Sequence, residues 1–197
     1  MTQKDRMLAG KLYRVDGELA AHMRRTRALL QQYNQSLDAA QRQEVLRELL
    51  GGMGENTHIE PPFRCDYGAN IYVGRNFYAN FDCIILDQCP IQIGDNVFFG
   101  PRVSLYSAGH PIDAMVRNSY LEFGKPITVG SDVWVGGDTV ILGGVTIGSN
   151  VVIGAGSVVT KDIPPDCIAV GNPCRVLRRI TDEDRAYWRA AAEEWTP

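Results

Sequence analysis

Three histidines and five cysteines are the side chains of this sequence best suited to proton transfer, nucleophilic attack or metal binding. An imidazole is the group whose ordinary pKa best matches proton transfer near neutrality. His22 falls inside an amphipathic segment and His58 in a loop ahead of Pro61, where structural roles are expected. His110 stands apart, between Gly109 and Pro111, in the one long interruption of a repetitive stretch. Position alone leaves two readings open for it: a general base, or a loop histidine without a chemical role. No second histidine or cysteine lies at ligand spacing, so no metal is expected, although symmetry in an oligomer could gather several copies of one histidine. The cysteines, Cys65, Cys83, Cys89, Cys167 and Cys174, are odd in number and form no C-x-x-C pair. That pattern argues against a disulfide framework or a zinc knuckle and predicts reduced, inert thiols, with Cys83 filling core space.

The scaffold that must carry His110 is written in sixes. Ile127-Thr-Val-Gly-Ser-Asp, Val133-Trp-Val-Gly-Gly-Asp and the four blocks after them each open with three strand-favouring residues and close with small or turn-tolerant ones. The first and third residues of a block point the same way. Of the thirteen block-opening positions between Ile71 and Ile163, eleven are apolar, the exceptions being Thr139 and Ser157, and the third positions are almost as uniform. Two inward columns that agree specify a β-helix, a solenoid whose coils stack through backbone hydrogen bonds. The strongest Gly-x-Asn/Asp words lie 20, 36 and 18 residues apart, so a coil holds three short faces and Cys89-Pro90 is a two-residue insertion. Tyr72, Tyr78, Ile84, Phe98, Trp134, Val140 and Val152 should point outward, and large apolar residues on a flat wall predict a partner surface, most simply another copy of the chain.

Before the solenoid, Asp16 to Tyr33 places Leu19, Met23, Thr26, Leu29, Leu30 and Tyr33 at helical spacing. Asp16 is most simply its N-cap. A second helix is expected from Ser36 or Asp38, with Gly51-Gly52 ending it, and the first recognisable hexad begins at Ile71. Residues 107–126 are too irregular for a wall and should project as a loop. Thr181-Asp-Glu-Asp184 is a capping-box-like start to a short helix through Trp188, expected to cap the open end of the prism. The organisation expected is mainly β: a helical arm over 1–53, a β-helix over 54–180 with the projecting loop 107–126, and a C-terminal helix over 181–197.

The 197 residues carry a net charge of −3, and no apolar run approaches the roughly 20 residues of a membrane span. Neither nucleic acid nor membrane is therefore an expected partner. No apolar stretch follows the charged N-terminus, so a cytoplasmic location is the default.

Phe77-Tyr-Ala-Asn-Phe-Asp, Gly109-His-Pro-Ile-Asp, Lys125-Pro-Ile-Thr-Val-Gly, Val133-Trp-Val-Gly-Gly, Ile153-Gly-Ala-Gly-Ser-Val-Val-Thr-Lys-Asp-Ile-Pro and Gly171-Asn-Pro-Cys-Arg-Val resemble the hexapeptide-repeat acyltransferases. Together with Ala9-Gly-Lys-Leu-Tyr, Arg64-Cys-Asp-Tyr-Gly and Leu86-Asp-Gln-Cys-Pro-Ile, they are similar to the maltose and galactoside O-acetyltransferases and their nodulation-protein relatives, the maltose branch fitting best. The resemblance implies a left-handed β-helix, a homotrimer with sites between subunits, and acetyl-CoA as co-substrate. It implies that His110 is the general base and that Asn80 lies near both substrates. Asp16, Asp66 and Asp87 fall where sugar-contacting residues lie, which lifts Asp16 from cap to ligand. Trp134 matches a tryptophan near the cleft, and Gly137, Ala155, Thr160, Lys161, Arg175 and Arg178 fall at coenzyme-binding positions. Three departures bear on specificity: Asp66 replaces a serine of the galactoside enzymes, Gln88 a second aspartate, and Gly137 a hydroxyl-bearing residue. Two other readings stay open at this point. One is an acetyltransferase acting on an amino sugar, an antibiotic or serine; the other is a zinc trimer of the carbonic-anhydrase kind.

Overall fold

The computed structural model describes residues 1–195; residues 196 and 197, the end of the expected C-terminal helix, lie outside the described residues. The chain opens with α1 (Gln3–Leu8), α2 (Gly17–Gln35) and α3 (Ala39–Leu49). Six coils follow. The first holds β1 (Gly52–Met53), β2 (His58–Ile59) and β3 (Arg64–Cys65). The second holds β4 (Ile71–Val73), β5 (Tyr78–Ala79) and β6 (Ile84–Leu86), and the third β7 (Ile91–Ile93), β8 (Phe98–Phe99) and β9 (Ser104–Tyr106). The loop then carries β10 (Ala108–Gly109), α4 (Ala114–Arg117) and β11 (Phe123–Gly124). The fourth coil has β12 (Ile127–Val129), β13 (Trp134–Val135) and β14 (Val140–Leu142), and the fifth β15 (Thr146–Ile147), β16 (Val151–Ile153) and β17 (Val158–Val159). A last partial coil pairs Ile163 with Ile147, continues into β18 (Cys167–Val170), and reverses into β19 (Arg175–Arg179) before α5 (Asp182–Glu193).

Apart from β19, which reverses against β18, the strands of each face pair in parallel, with partners one coil apart. The hexad columns fill the interior: Phe77, Val97, Val103, Ile141 and Ile153 are completely buried. The two polar block openers are buried as well, and their hydroxyls are satisfied, since Thr139 and Ser157 both donate to the Gly154 carbonyl. Corners are turned by residues in the left-handed region. Between the first and second faces stand Asn56, Asn76, Asn96, Asp132, Asn150 and Asp166, all with φ between 55° and 59°. Short Asx side chains tolerate that conformation, and here they also bond between coils, Asn56 to Asn76, Asn76 to Asn96 and Asn96 to Asp132 at 2.8–3.0 Å.

The three walls differ in chemistry. Outward positions on the first face carry Tyr72, Gln92, Thr128 and Thr146 in register. On the second they form a ladder of His58, Tyr78, Phe98, Trp134, Val152 and Ile168, with the His58 and Tyr78 rings stacked at 5.7 Å. The third carries Arg64, Ile84, Ser104, Val140 and Val158 in register, mainly aliphatic and flanked by Leu86, Tyr106 and Leu142. One wall is mainly polar, one mainly aromatic and one mainly aliphatic, and Tyr72, Phe98 and Trp134 stand exposed on the first two.

Three expectations change. The solenoid begins at Gly52, two residues before the expected bound of 54 and one coil before the first recognisable hexad at Ile71. α3 ends at Leu50 in extended conformation, and Gly51 serves close packing instead of a helix stop, because a Cβ there would collide with the Ala69 carbonyl. α5 does not plug the prism: none of its residues is buried, and Tyr187 and Trp188 are exposed. Its start is nonetheless the expected capping box between Thr181 and Asp184. The first coil is closed by α2 and α3, whose Leu29, Leu30, Tyr33, Leu46 and Leu49 join the same core, with the Tyr33 hydroxyl donating to the Ile59 carbonyl.

Candidate functional site

Most of the candidate positions gather at two corners of the prism, with Asp16 on the arm, Trp134 on the second face and Arg175 and Arg178 on β19. At the corner between the third and first faces lie Asp66 after β3, Asp87 and Gln88 after β6, the projecting loop after β9, and Thr160 and Lys161 after β17. The loop rises as a short antiparallel hairpin in which Ala108 pairs with Gly124 and Gly109 with Phe123. Its tip is built locally. Asp113 caps α4 by accepting from the Val116 N–H at 2.9 Å, and the Arg117 guanidinium donates to the Pro111 and Ile112 carbonyls. Its base is tied to the arm: Tyr13 and Glu122 exchange backbone hydrogen bonds, and the Tyr13 hydroxyl donates to Glu122 Oε2 at 2.8 Å. Beneath sits a small separate core of Met7, Tyr13, Leu19 and Tyr67. His110 directly follows β10, exposed, and its ring makes no hydrogen bond among the described residues. A cleft of about 210 Å³ at the loop base is lined by Tyr106, Ser107, Gly109, Phe123, Lys125 and Leu142.

The carboxylates expected near a sugar differ in setting. Asp16 caps α2 with Oδ1, which accepts from the Leu19 N–H at 3.0 Å, and its other oxygen is uncommitted. Asp66 is half-buried; Gln88 Nε2 donates to its Oδ2 at 2.6 Å. Burial pushes the Asp66 carboxyl above the usual carboxylate range, the Gln88 bond opposes this, Glu122 adds to it and Arg27 counters it. Asp87 is set behind this edge instead of on it. It is wholly buried, and its oxygens accept from the backbone N–H groups of Asp66, Tyr67 and Asn70 at 2.8–3.2 Å. Desolvation pushes its carboxyl up to about 6 in spite of those bonds. Its oxygens are thus spent on the main chain, and a direct sugar contact is not what this geometry offers.

The second corner, between the second and third faces, carries Asn80, Gly137 and Ala155, on the second, fourth and fifth coils. Asn80 Oδ1 accepts from the Phe81 N–H at 2.8 Å, leaving its amide nitrogen free to donate. Gly137 packs tightly, since a Cβ there would lie 3.0 Å from the Pro101 carbonyl oxygen. Trp134 stands on the second face, 56% exposed. Arg175 and Arg178 lie on β19, and Arg178 is already held by both oxygens of Asp184, at 2.5 and 2.8 Å. Within one chain a whole face, roughly 15 Å of strand, separates the two corners. The residues missed from the sequence are Tyr13 and Glu122, whose contact spans 109 positions and leaves no local signal. All five cysteines are buried and unpaired.

Residues 6–54 match the maltose acetyltransferase hexapeptide capping motif, and residues 126–161 match the bacterial transferase hexapeptide of six repeats. Among solved structures, a maltose O-acetyltransferase from Clostridium difficile 630 superposes with a TM-score of 0.91 at 52% identity, over 92% of this chain and 98% of that one. A galactoside acetyltransferase in complex with coenzyme A also gives 0.91, at 44% identity over 94% of each chain. The galactoside O-acetyltransferase of Escherichia coli K12 is 44% identical across 191 residues, 95% of this chain and 94% of its own length. On coil architecture, helical arm, projecting loop and identity over nearly the full length, the chain belongs to the maltose/galactoside O-acetyltransferase family of hexapeptide-repeat acetyltransferases.

Proposed function

We propose that this protein moves the acetyl group of acetyl-CoA to a hydroxyl of a sugar, maltose, glucose or a related compound, in a site shared by neighbouring copies of a homotrimer. His110 accepts the hydroxyl proton as the oxygen attacks the thioester carbonyl carbon. The C–S bond then breaks, and the imidazolium returns the proton to the coenzyme sulfur. An alcohol is a weak nucleophile until a base is hydrogen-bonded to it, and holding both substrates in one cleft supplies the effective concentration. Asp16 and Asp66 bind sugar hydroxyls while Asp87 holds the loop behind them. The free amide nitrogen of Asn80 donates between the two substrates. Trp134, Gly137, Ala155, Thr160 and Lys161 bind the coenzyme arm, and Arg175 and Arg178 face its phosphates.

The observation that carries this reading is the division of the site between two corners. A base must come within about 3 Å of the proton it takes, yet His110 and Asn80 start from opposite edges of the aliphatic third face. Burying that face between copies brings one chain's first corner against its neighbour's second, and three such clefts close a ring. The test is complementation. His110→Ala and Asn80→Ala, each expected to lose roughly 100-fold in kcat/KM, are refolded together. Random assembly gives one cleft in four an intact histidine and an intact asparagine, so about a quarter of wild-type activity returns. A mixture no more active than its parents places both groups in one chain and removes the shared site.

A further inference from the structure

Asp66 is gripped from two directions by consecutive residues. From beneath, Asp87 fixes the main chain through the N–H groups of Asp66, Tyr67 and Asn70. From the side, Gln88 Nε2 holds the carboxylate at 2.6 Å. Gln88 is only 7% exposed, and its Oε1 is the one buried side-chain nitrogen or oxygen without a hydrogen-bond partner among the described residues. Such groups are rare, because the atom has given up water and received nothing in exchange. Turning the amide over would set Oε1 against a carboxylate oxygen. The charge on Asp66 therefore decides which end of the amide faces it, and the unsatisfied acceptor is the cost of keeping a donor there.

We propose that Gln88 is a positioning residue for the acceptor: it orients the Asp66 carboxylate and acts on the acceptor through Asp66 alone. This rests on the reading that Asp66 meets the acceptor. The other groups facing Asp66 are Arg27 of α2, Glu122 at the loop base, and Tyr13, Tyr67 and Asp87, so its protonation is shared among several elements. Of these, Gln88 is the one that bonds its side chain directly.

The experiment compares Asp66→Ala, Gln88→Leu and the double variant by steady-state kinetics with acetyl-CoA and maltose across pH. Leucine keeps the volume and removes both the donor and the orphaned acceptor, so thermal stability is expected to hold or rise. Its acceptor KM should increase roughly five- to tenfold, for the loss of one charge-assisted orienting bond, while kcat and the acetyl-CoA KM stay within about twofold. The acidic limb of kcat/KM for the acceptor should move to higher pH, because the bond favouring charged Asp66 is gone. The double variant should match Asp66→Ala. Should the two effects multiply instead, Oε1 itself touches the acceptor and the proposal is overturned. It is equally overturned if Gln88→Leu leaves the acceptor KM unchanged beside a responsive Asp66→Ala. An Asp66→Ala protein with an unaltered acceptor KM removes the acceptor-site reading beneath it and the proposal with it. Gln88→Glu, which sets two carboxylates together and should move the acidic limb further the same way, covers the case in which the leucine variant fails to fold.

Discussion

Besides its tie to the arm through Tyr13 and Glu122, the His110 loop makes one close approach to the wall, where Gly124 passes Cys89. A Cβ added at Gly124 would lie 2.7 Å from Cys89 Sγ and 3.3 Å from Cys89 N and Gln88 Cβ. The sulfur cannot simply swing away, since it is completely enclosed and donates to the Met7 carbonyl at 3.2 Å. Gly124→Ala must therefore lift β11 or dislodge the thiol, an overpacking cost of about 1–3 kcal/mol. Because Gly124 pairs with Ala108, two residues before His110, lifting β11 tilts the histidine. A shift approaching 1 Å costs up to about 100-fold in kcat/KM. Cys89→Ala removes the obstructing sulfur, for about 1 kcal/mol of lost burial and bonding on its own. In the double variant the two changes should couple favourably by about 1–2 kcal/mol, with kcat/KM returning to within several-fold of wild type. Urea unfolding and coenzyme release on the four proteins of the cycle read both quantities. Strict additivity in stability, together with a double variant as inactive as Gly124→Ala, would show that this contact does not govern the loop.

Other consequences are open to measurement. The Asp87 carboxyl, raised from 3.8 to about 6, favours the folded state when protonated, so its contribution is complete below pH 4 and lost as pH rises through 6. Relative to Asp87→Asn, wild-type stability in urea should fall by something on the order of 3 kcal/mol between pH 4 and 7; a constant difference would contradict the shift. Asn96 has φ 55° and bonds two neighbouring rungs, so Asn96→Gly reports the lost bonds, and Asn96→Ala adds about 1 kcal/mol of left-handed strain, resolvable by thermal melting. Asp184→Asn releases Arg178 and should tighten coenzyme binding by roughly two- to fivefold in calorimetry, the scale of an exposed ion pair; weaker binding would mean that Asp184 aligns the guanidinium instead of competing for it.

The solenoid was legible because its signal repeats: two inward columns at period six survive even where Thr139 and Ser157 interrupt them. The first coil was not, because Gly52-Met53, His58-Ile59 and Arg64-Cys65 follow openers such as Gly51 and Thr57, and Pro61-Pro62 masks the rhythm. α2 and α5 announced themselves through Asp16 and Thr181, whose capping chemistry is local. Where α5 would pack depends on surfaces no local pattern encodes, and none of its residues is buried. The site divides the same way. His110 was conspicuous as a histidine in the only large interruption, whereas Asp87 showed its type but not its burial. The bond from Gln88 to Asp66 joins residues 22 positions apart, and only the stacking of coils brings them together.

The reversal of direction at β19 has a consequence for assembly. A column of parallel coils presents, on its final rung, a row of amides and carbonyls that any identical column could continue, and such ends seed fibres. Here β19 runs antiparallel to β18 and shifts register between Ile168 and Ala169. A newcomer approaching in the sense of the other strands finds the wrong polarity and spacing, while α2 and α3 obstruct the opposite end. Lengthwise continuation of the second face is thus disfavoured at both ends of the column.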